Sequence, residues 1–286
     1  MRSIFSYTQL LTIFHKQFQT FITTHSTHIS SQAPLGSVVC MTLGENSNTI
    51  STIPTKDSSL VESEISDLER YLDATRSSLL FARKVILVEG PAELFLIPQL
   101  VKHTMDGIDL DRLGISIVPI YGVHFDVYIK LFNNSSLPKK CAIIADGDMK
   151  HGEEVTDDTD IDPPPELPNL SQLENEYVKV FKCKSTFEKA ITLHGTLRML
   201  SQAAAECGAP RVSKKLNEKC DLLDAKNLDR QVENQLFEVL QNTVLNTAMR
   251  FGKARFAQTA AKYASLAQDI PNYIREAVTW LINEVK

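Results

Sequence analysis

Apolar residues in this chain fall into two patterns. Residues 85–88 (VILV), 115–120 (ISIVPI) and 142–145 (AIIA) are short, near-continuous apolar runs, the signature of strands buried on both faces. Residues 177–181 (YVKVF) recover strand character further on. Elsewhere the spacing is helical. Ile65, Leu68, Leu72, Thr75 and Leu79 predict a helix from Glu64 to about Phe81, and Leu94, Leu96, Ile97 and Leu100 form the stripe of another. Residues 127–132 predict a shorter one. From Gly195 onward the chain reads as helical, with periodic stretches over 228–250 and 255–266. A last helix opens at Pro271 and carries Ile274, Val278, Trp280 and Leu281. Strands separated by helices predict an α/β fold: a mostly parallel sheet flanked by helices, followed by a helical C-terminal part.

The N-terminal part is less regular. Residues 1–18 predict an amphipathic helix, because Gln9, His15 and Lys16 interrupt its apolar positions. No run there is long enough for a membrane span or clean enough for a signal peptide. Residues 18–24 (FQTFITT) predict a strand ending at His25, and Ser26 or Thr27 suits a helix cap. Residues 34–53 predict two short strands around the turn-rich segment 44–48. Residues 58–63 form a polar link. Residues 149–176 combine acids with prolines and predict a loop.

Composition adds few constraints. The chain has 286 residues, 43% hydrophobic and 23% charged, ordinary for a globular protein with a sizeable core. Its net charge of −5 lacks the overall basic signature of a nucleic-acid binder. The five cysteines (Cys40, Cys141, Cys183, Cys207 and Cys220) are odd in number and include no C-x-x-C pair. They read as reduced thiols of a cytoplasmic protein.

Candidate chemistry sits where two of the strands end. Glu89 closes the first and is followed by Gly90 and Pro91, a turn residue and a favoured first residue of a helix. Glu93 lies roughly one turn, ~6 Å, along that helix. The run 142–145 ends in Asp146, Gly147 and Asp148. Two residues apart on an extended chain, the aspartates face the same side, about 6 to 7 Å apart. Open α/β sheets hold ligands beyond the carboxyl ends of their strands. Four carboxylates gathered there repel one another unless cations intervene, and hard oxygen donors in that number suit Mg2+ or Mn2+.

The set LDATRSSLLFARKVILVEGPAE, IADGD, KSTFEKAI and GKARFAQ, in that order, resembles the OLD (overcoming lysogenisation defect) family of ATP-dependent endonucleases. Within it, the acid-Gly after the first strand and the Asp-x-Asp after a later one resemble a TOPRIM domain. The resemblance implies a metal-dependent DNA endonuclease with two ions, Mg2+ or Mn2+. Glu89, Glu93, Asp146, Asp148 and Glu188 would be ligands, with a hydroxyl from Thr186 or the adjacent Ser185. Lys253 would stabilise charge on the cleaved phosphate. Each has a plainer structural counterpart: Thr186 and Glu188 fit a helix cap and first turn, and Lys253 an exposed helix end. Arg76 and Arg83 are candidates for phosphate contacts, although surface arginines are common. His124 stands where family members carry a Gly-x-Asn-Phe-like turn, and is left out of the site.

The segment TTHSTHISS resembles the switch-histidine region of ABC-type ATPases, which would make His25 a nucleotide-binding residue. No G-x-x-x-x-G-K-S/T loop occurs in the chain, so the cradle for ATP phosphates is missing and ATP is not expected to bind this chain alone. The implied organisation is a truncated ABC-ATPase-like segment over 1–60 and a TOPRIM nuclease domain with its leading helix over 61–194. A helical region over 195–286 would complete the site. DNA is the implied substrate. A homodimer and a separate partner protein both stay open, and no membrane association is implied. The rival account is a catalytically inactive regulatory or DNA-binding remnant. A receiver-like phosphoacceptor domain ranks last, because its acid pair follows the first strand rather than a later one.

Overall fold

The structure is a computed structural model describing residues 21–43, 49–56, 59–73, 75–121, 125–147, 170–225 and 229–283. Helix α1 (Thr27–Ser30) is capped by the Ser26 hydroxyl, which accepts the Ile29 N–H. Residues 21–25 before it adopt no strand, in contrast to the sequence-based expectation. The expected helix over 1–18 lies outside the described residues. Strands β1 (Cys40–Leu43) and β2 (Thr49–Thr52) pair antiparallel, as the pattern over 34–53 predicts.

The helix expected over 64–81 is broken. Helix α2 (Glu62–Tyr71) ends early, and α3 (Ser78–Phe81) restarts after a turn. Asp73 makes the break by accepting the N–H groups of Thr75 and Arg76 on Oδ1. Such side-chain bonds compete with helix propagation. The Arg76 guanidinium donates to the carbonyls of Tyr71 and Pro119 and lies 4.8 Å from the centre of the Tyr121 ring. Arg76 is therefore a structural tie, not a surface contact for a phosphate.

Strand β3 (Lys84–Val88) leads into α4 (Pro91–Thr104), with Gly90 as N-cap and Pro91 as its first residue. Then come β4 (Ile115–Pro119), α5 (Phe125–Ile129), β5 (Cys141–Ala145) and β6 (Val178–Lys182). The sheet order is β4-β3-β5-β6, and every pairing is parallel. Four short parallel strands need cover on both faces, and they receive it. Ile86 and Val88 face one core with α4 and the C-terminal helices, whereas Val85 and Leu87 face the other with α2, α3 and α5. Val85 to Val88 have no exposed surface at all.

The remaining helices are α6 (Phe187–Ala190), α7 (Leu197–Glu206), α8 (Pro210–Asp224), α9 (Arg230–Phe251), α10 (Lys253–Lys262) and α11 (Asn272–Ile282). Helix α10 packs on α4, α9 on α6, and α11 across β5 and β6. Lys84 Nζ donates to the Leu281 carbonyl at 2.7 Å and Lys140 Nζ to the Asn283 carbonyl at 2.8 Å, tying the end of α11 to the sheet. The α/β architecture and helical C-terminal part expected from the sequence are thus both present.

Candidate functional site

Strands β3 and β5 are neighbours, yet β4 lies beyond one and β6 beyond the other. The chain reverses its direction of winding between them, and their carboxyl ends flank the crevice where such sheets bind ligands. Glu89 and Asp146 occupy those two ends. The Asp146 N–H donates to Glu89 Oε1 at 2.6 Å, so the carboxylate of one strand end is held by the backbone of the other. Tyr121 fixes Glu89 from the other side. It follows β4 in the left-handed region, at φ 55°, and its N–H donates to the Glu89 carbonyl at 2.8 Å. A bulky residue in that conformation is strained, and such strain is stored where the surrounding structure enforces it.

Gly147 has a physical reason to be glycine. A Cβ there would stand 2.4 Å from the Cys183 carbonyl oxygen and 2.7 Å from the Lys184 carbonyl carbon. Its N–H donates to the Ser185 carbonyl at 2.9 Å, which clamps the end of β5 against the turn after β6. That turn delivers the next residues. The Thr186 hydroxyl caps α6 by accepting the Lys189 N–H. Glu188, in the first turn, is buried at 3% exposure.

Glu188 and Lys253 form an ion pair, with Nζ 3.1 Å from Oε2. That oxygen has no hydrogen bond of good geometry, although it is fully buried. The contact is a close approach of charges that leaves lone pairs free. Lys253 opens α10 directly after Gly252, whose φ of 92° suits glycine. Its side chain is 47% exposed, so the ammonium joins the acidic pocket to open surface.

The acids are electrostatically strained. Burial, helped by the charges of Asp146, Glu89 and Glu188, pushes the Glu93 carboxyl up to about 8. Burial and the charges of Glu89 and Glu188 push Asp146 up to about 7, with Cys183 and Lys253 pulling the other way. Both acids therefore resist ionisation at neutral pH.

Two residues at the site carried no signal in the sequence. The Cys183 thiol is 3.5 Å from Asp146 Oδ1 and donates to the Ser185 carbonyl, and burial pushes its pKa up to about 11. Tyr273 on α11 turns its hydroxyl toward the same place. Burial first, then the charges of Cys183, Asp146 and Glu93, raise its pKa. The hydroxyl is buried beside Cys183 but makes no hydrogen bond of good geometry. Nothing in the spacing of α11 distinguishes Tyr273 from a core aromatic.

The structure thus brings Glu89, Glu93, Asp146, Glu188 and Lys253 to one place, with Thr186 and Ser185 in the adjoining turn. Asp148 lies outside the described residues, as do His124 and most of the acidic loop. His25 and Arg83 do not join them. They line a cleft with Asp111 and Gly114 at the amino ends of β3 and β4, the opposite edge of the sheet. That cleft gathers no comparable set of buried charges. Among the described residues, the group whose ligand atoms all lie within 4.8 Å of one another is His194, Cys220 and Asp224, not the acidic pocket.

Residues 80–148 match the family model of the overcoming lysogenization defect protein-like TOPRIM domain. The C-terminal region of the Burkholderia pseudomallei OLD protein is 29% identical. The match covers 70% of this chain and 97% of that one, with a TM-score of 0.47. The C-terminal region of the Xanthomonas campestris pv. campestris OLD protein is 26% identical over 71% of this chain and 94% of that one, with a TM-score of 0.46. No curated protein matches the chain. Among the described residues, no helix is long and apolar enough to cross a membrane.

Proposed function

We propose that this chain, whose residues 80–148 match the overcoming lysogenization defect protein-like TOPRIM domain, hydrolyses DNA phosphodiesters at the acidic pocket. The single observation that carries this reading is the convergence of buried carboxylates with one partly exposed lysine at the crevice between β3 and β5. The pocket suits divalent cations: Glu93 and Glu188 are buried acids, Glu188 Oε2 has unused lone pairs, and burial followed by the neighbouring carboxylates raises the pKa values of Glu93 and Asp146, so their ionised forms call for a compensating positive charge. Mg2+ or Mn2+, two ions in this reading, would supply an activated water and neutralise the departing oxygen.

The roles of the side chains follow from their settings. Glu89, Glu93, Asp146, Asp148 and Glu188 would hold the ions, with Thr186 or Ser185 adding a neutral oxygen. The Asp146 N–H fixes Glu89 Oε1. Lys253 neutralises Glu188 and presents its remaining N–H donors toward an incoming phosphate, where charge grows as the bond breaks. Residues 195–286 contribute Lys253 and Tyr273, which supports reading them as the part that completes the site of a nuclease domain over 61–194. The residues over 1–60 are proposed as an ABC-ATPase-like segment, and His25 as a switch histidine that does not act without a phosphate-binding loop.

The test is incubation of the purified chain with labelled duplex and supercoiled DNA in Mn2+, in Mg2+ and in chelator, each with and without ATP. Cleavage that needs the divalent ion and ignores ATP supports the proposal. Tight metal binding with intact DNA under every condition would favour the inactive remnant.

A further inference from the structure

The second cluster of donors in the fold has different chemistry. His194 begins the short turn that follows α6, whereas Cys220 and Asp224 stand one helical turn apart near the end of α8. Positions four apart on a helix share a face, and this face meets the turn. His194 Nε2 is 2.8 Å from Asp224 Oδ1, and Cys220 Sγ is 3.9 Å from Asp224 Oδ2. All three ligand atoms lie within 4.8 Å of one another. Cys220 is buried, whereas His194 and Asp224 are about half exposed.

An imidazole, a thiol and one carboxylate are a poor set for Mg2+ and a good one for Zn2+. With Zn–N and Zn–O near 2.0–2.2 Å and Zn–S near 2.3 Å, tetrahedral ligand atoms stand roughly 3.3–3.7 Å apart. The three side chains need move by about an ångström or less to reach that spacing. Arg198 shares the neighbourhood, and its Nη2 donates to Asp221 Oδ1 at 2.6 Å and to Asp224 Oδ2 at 3.2 Å. It holds Asp224 Oδ2, whereas Oδ1 faces His194 Nε2. With Asp221, Asp224 and Arg198 the surroundings carry one net negative charge, and a dication with a thiolate brings them to neutrality.

We propose that His194, Cys220 and Asp224 bind Zn2+, with solvent in the fourth position, and so clamp α8 to the turn six residues beyond Glu188. Binding exchanges the Asp224–His194 hydrogen bond for two metal bonds and releases the Cys220 proton to solvent, because the thiolate is the ligand.

The test uses the full chain, stripped by chelator and returned to buffer with excess Mg2+ to occupy hard sites. Co2+ is the probe, since its bond to a thiolate gives a near-ultraviolet charge-transfer band that carboxylate sites do not. One equivalent of Co2+ should produce the band, and one equivalent of Zn2+ should remove it. His194→Ala, at an exposed position, should weaken Co2+ binding by at least roughly tenfold, the scale set by loss of ligand-shell support. Cys220→Ser should abolish the band. Because Cys220 is buried, its variant is first checked for folding by circular dichroism, and His194→Ala decides the matter if it is unfolded. No band in the folded wild type up to millimolar Co2+ overturns the proposal. So does a band unchanged by His194→Ala, or one that survives Cys220→Ser, which would place the metal on another thiol such as Cys183.

Discussion

Glu93 is buried at the start of a helix beside three other carboxylates, and it cannot stay ionised there without a cation close by. Its pKa of about 8 and the value of about 7 for Asp146 set a pH dependence of stability. Unfolded carboxyls release their protons near pH 4, whereas in the folded, metal-free chain Asp146 retains its proton to about pH 7 and Glu93 to about pH 8. The folded state therefore binds more protons across this window, and stability falls as pH rises through it. The melting temperature in chelator should drop between pH 5 and about 8, and Mg2+ or Mn2+ should flatten the drop. A melting temperature in chelator that rises over that range would contradict this electrostatic picture. Tyr273 makes a separate prediction. Its hydroxyl is buried without a good hydrogen bond, so Tyr273→Phe should leave stability unchanged or slightly raised. If the hydroxyl serves the reacting groups, cleavage should slow by roughly tenfold, less than the loss of a full oxyanion donor. An unchanged rate would assign Tyr273 to packing alone.

At the scale of elements, the strands were the legible part. Continuous apolar runs such as VILV and AIIA admit little other than buried strands, and Gly90-Pro91 marks the turn into α4 clearly. The helix over 64–81 was not legible, because its apolar positions keep the same period across the Asp73 break. Only the contacts of Asp73 and Arg76 with the backbone show where it stops. Lys139 was equally invisible. It is buried at 5% exposure, and its ammonium donates to the carbonyls of Leu79, Leu80 and Ala82 at the end of α3. These acceptors satisfy a helix end that would otherwise lack partners. Burial lowers its pKa to about 8. Lys139→Met should strand the three carbonyls and cost on the order of 2–3 kcal/mol, measured by urea unfolding at pH 7. A cost below about 0.5 kcal/mol, the range of neutral surface changes, would show that water replaces the ammonium without penalty.

Over the whole molecule, the sheet and the C-terminal helices share one core. The cluster around Ile86 and Val88 continues through α4 and α7 to α11 without interruption. Helical periodicity foretold those helices, but not which of them would cover the sheet. Order along the chain placed Lys253 some 65 residues beyond Glu188, and only the packing of α10 on α4 and α9 on α6 brings the two together. Asp146 and Glu89 were easier to place, since neighbouring parallel strands align their carboxyl ends. The acidic pocket is thus one unit assembled from the sheet and the helices. The most direct test is the rate of supercoiled plasmid nicking in Mn2+ by the wild type, Asp146→Ala and Lys253→Ala, each shown to be folded by circular dichroism. The account predicts nicking by the wild type that stops in chelator and none by Asp146→Ala. For Lys253→Ala it predicts a rate reduced by roughly 10²-fold, the value of an oriented charge in the transition state. Nicking that persists in Asp146→Ala, or a wild type that leaves the plasmid closed in both Mn2+ and Mg2+, would contradict it.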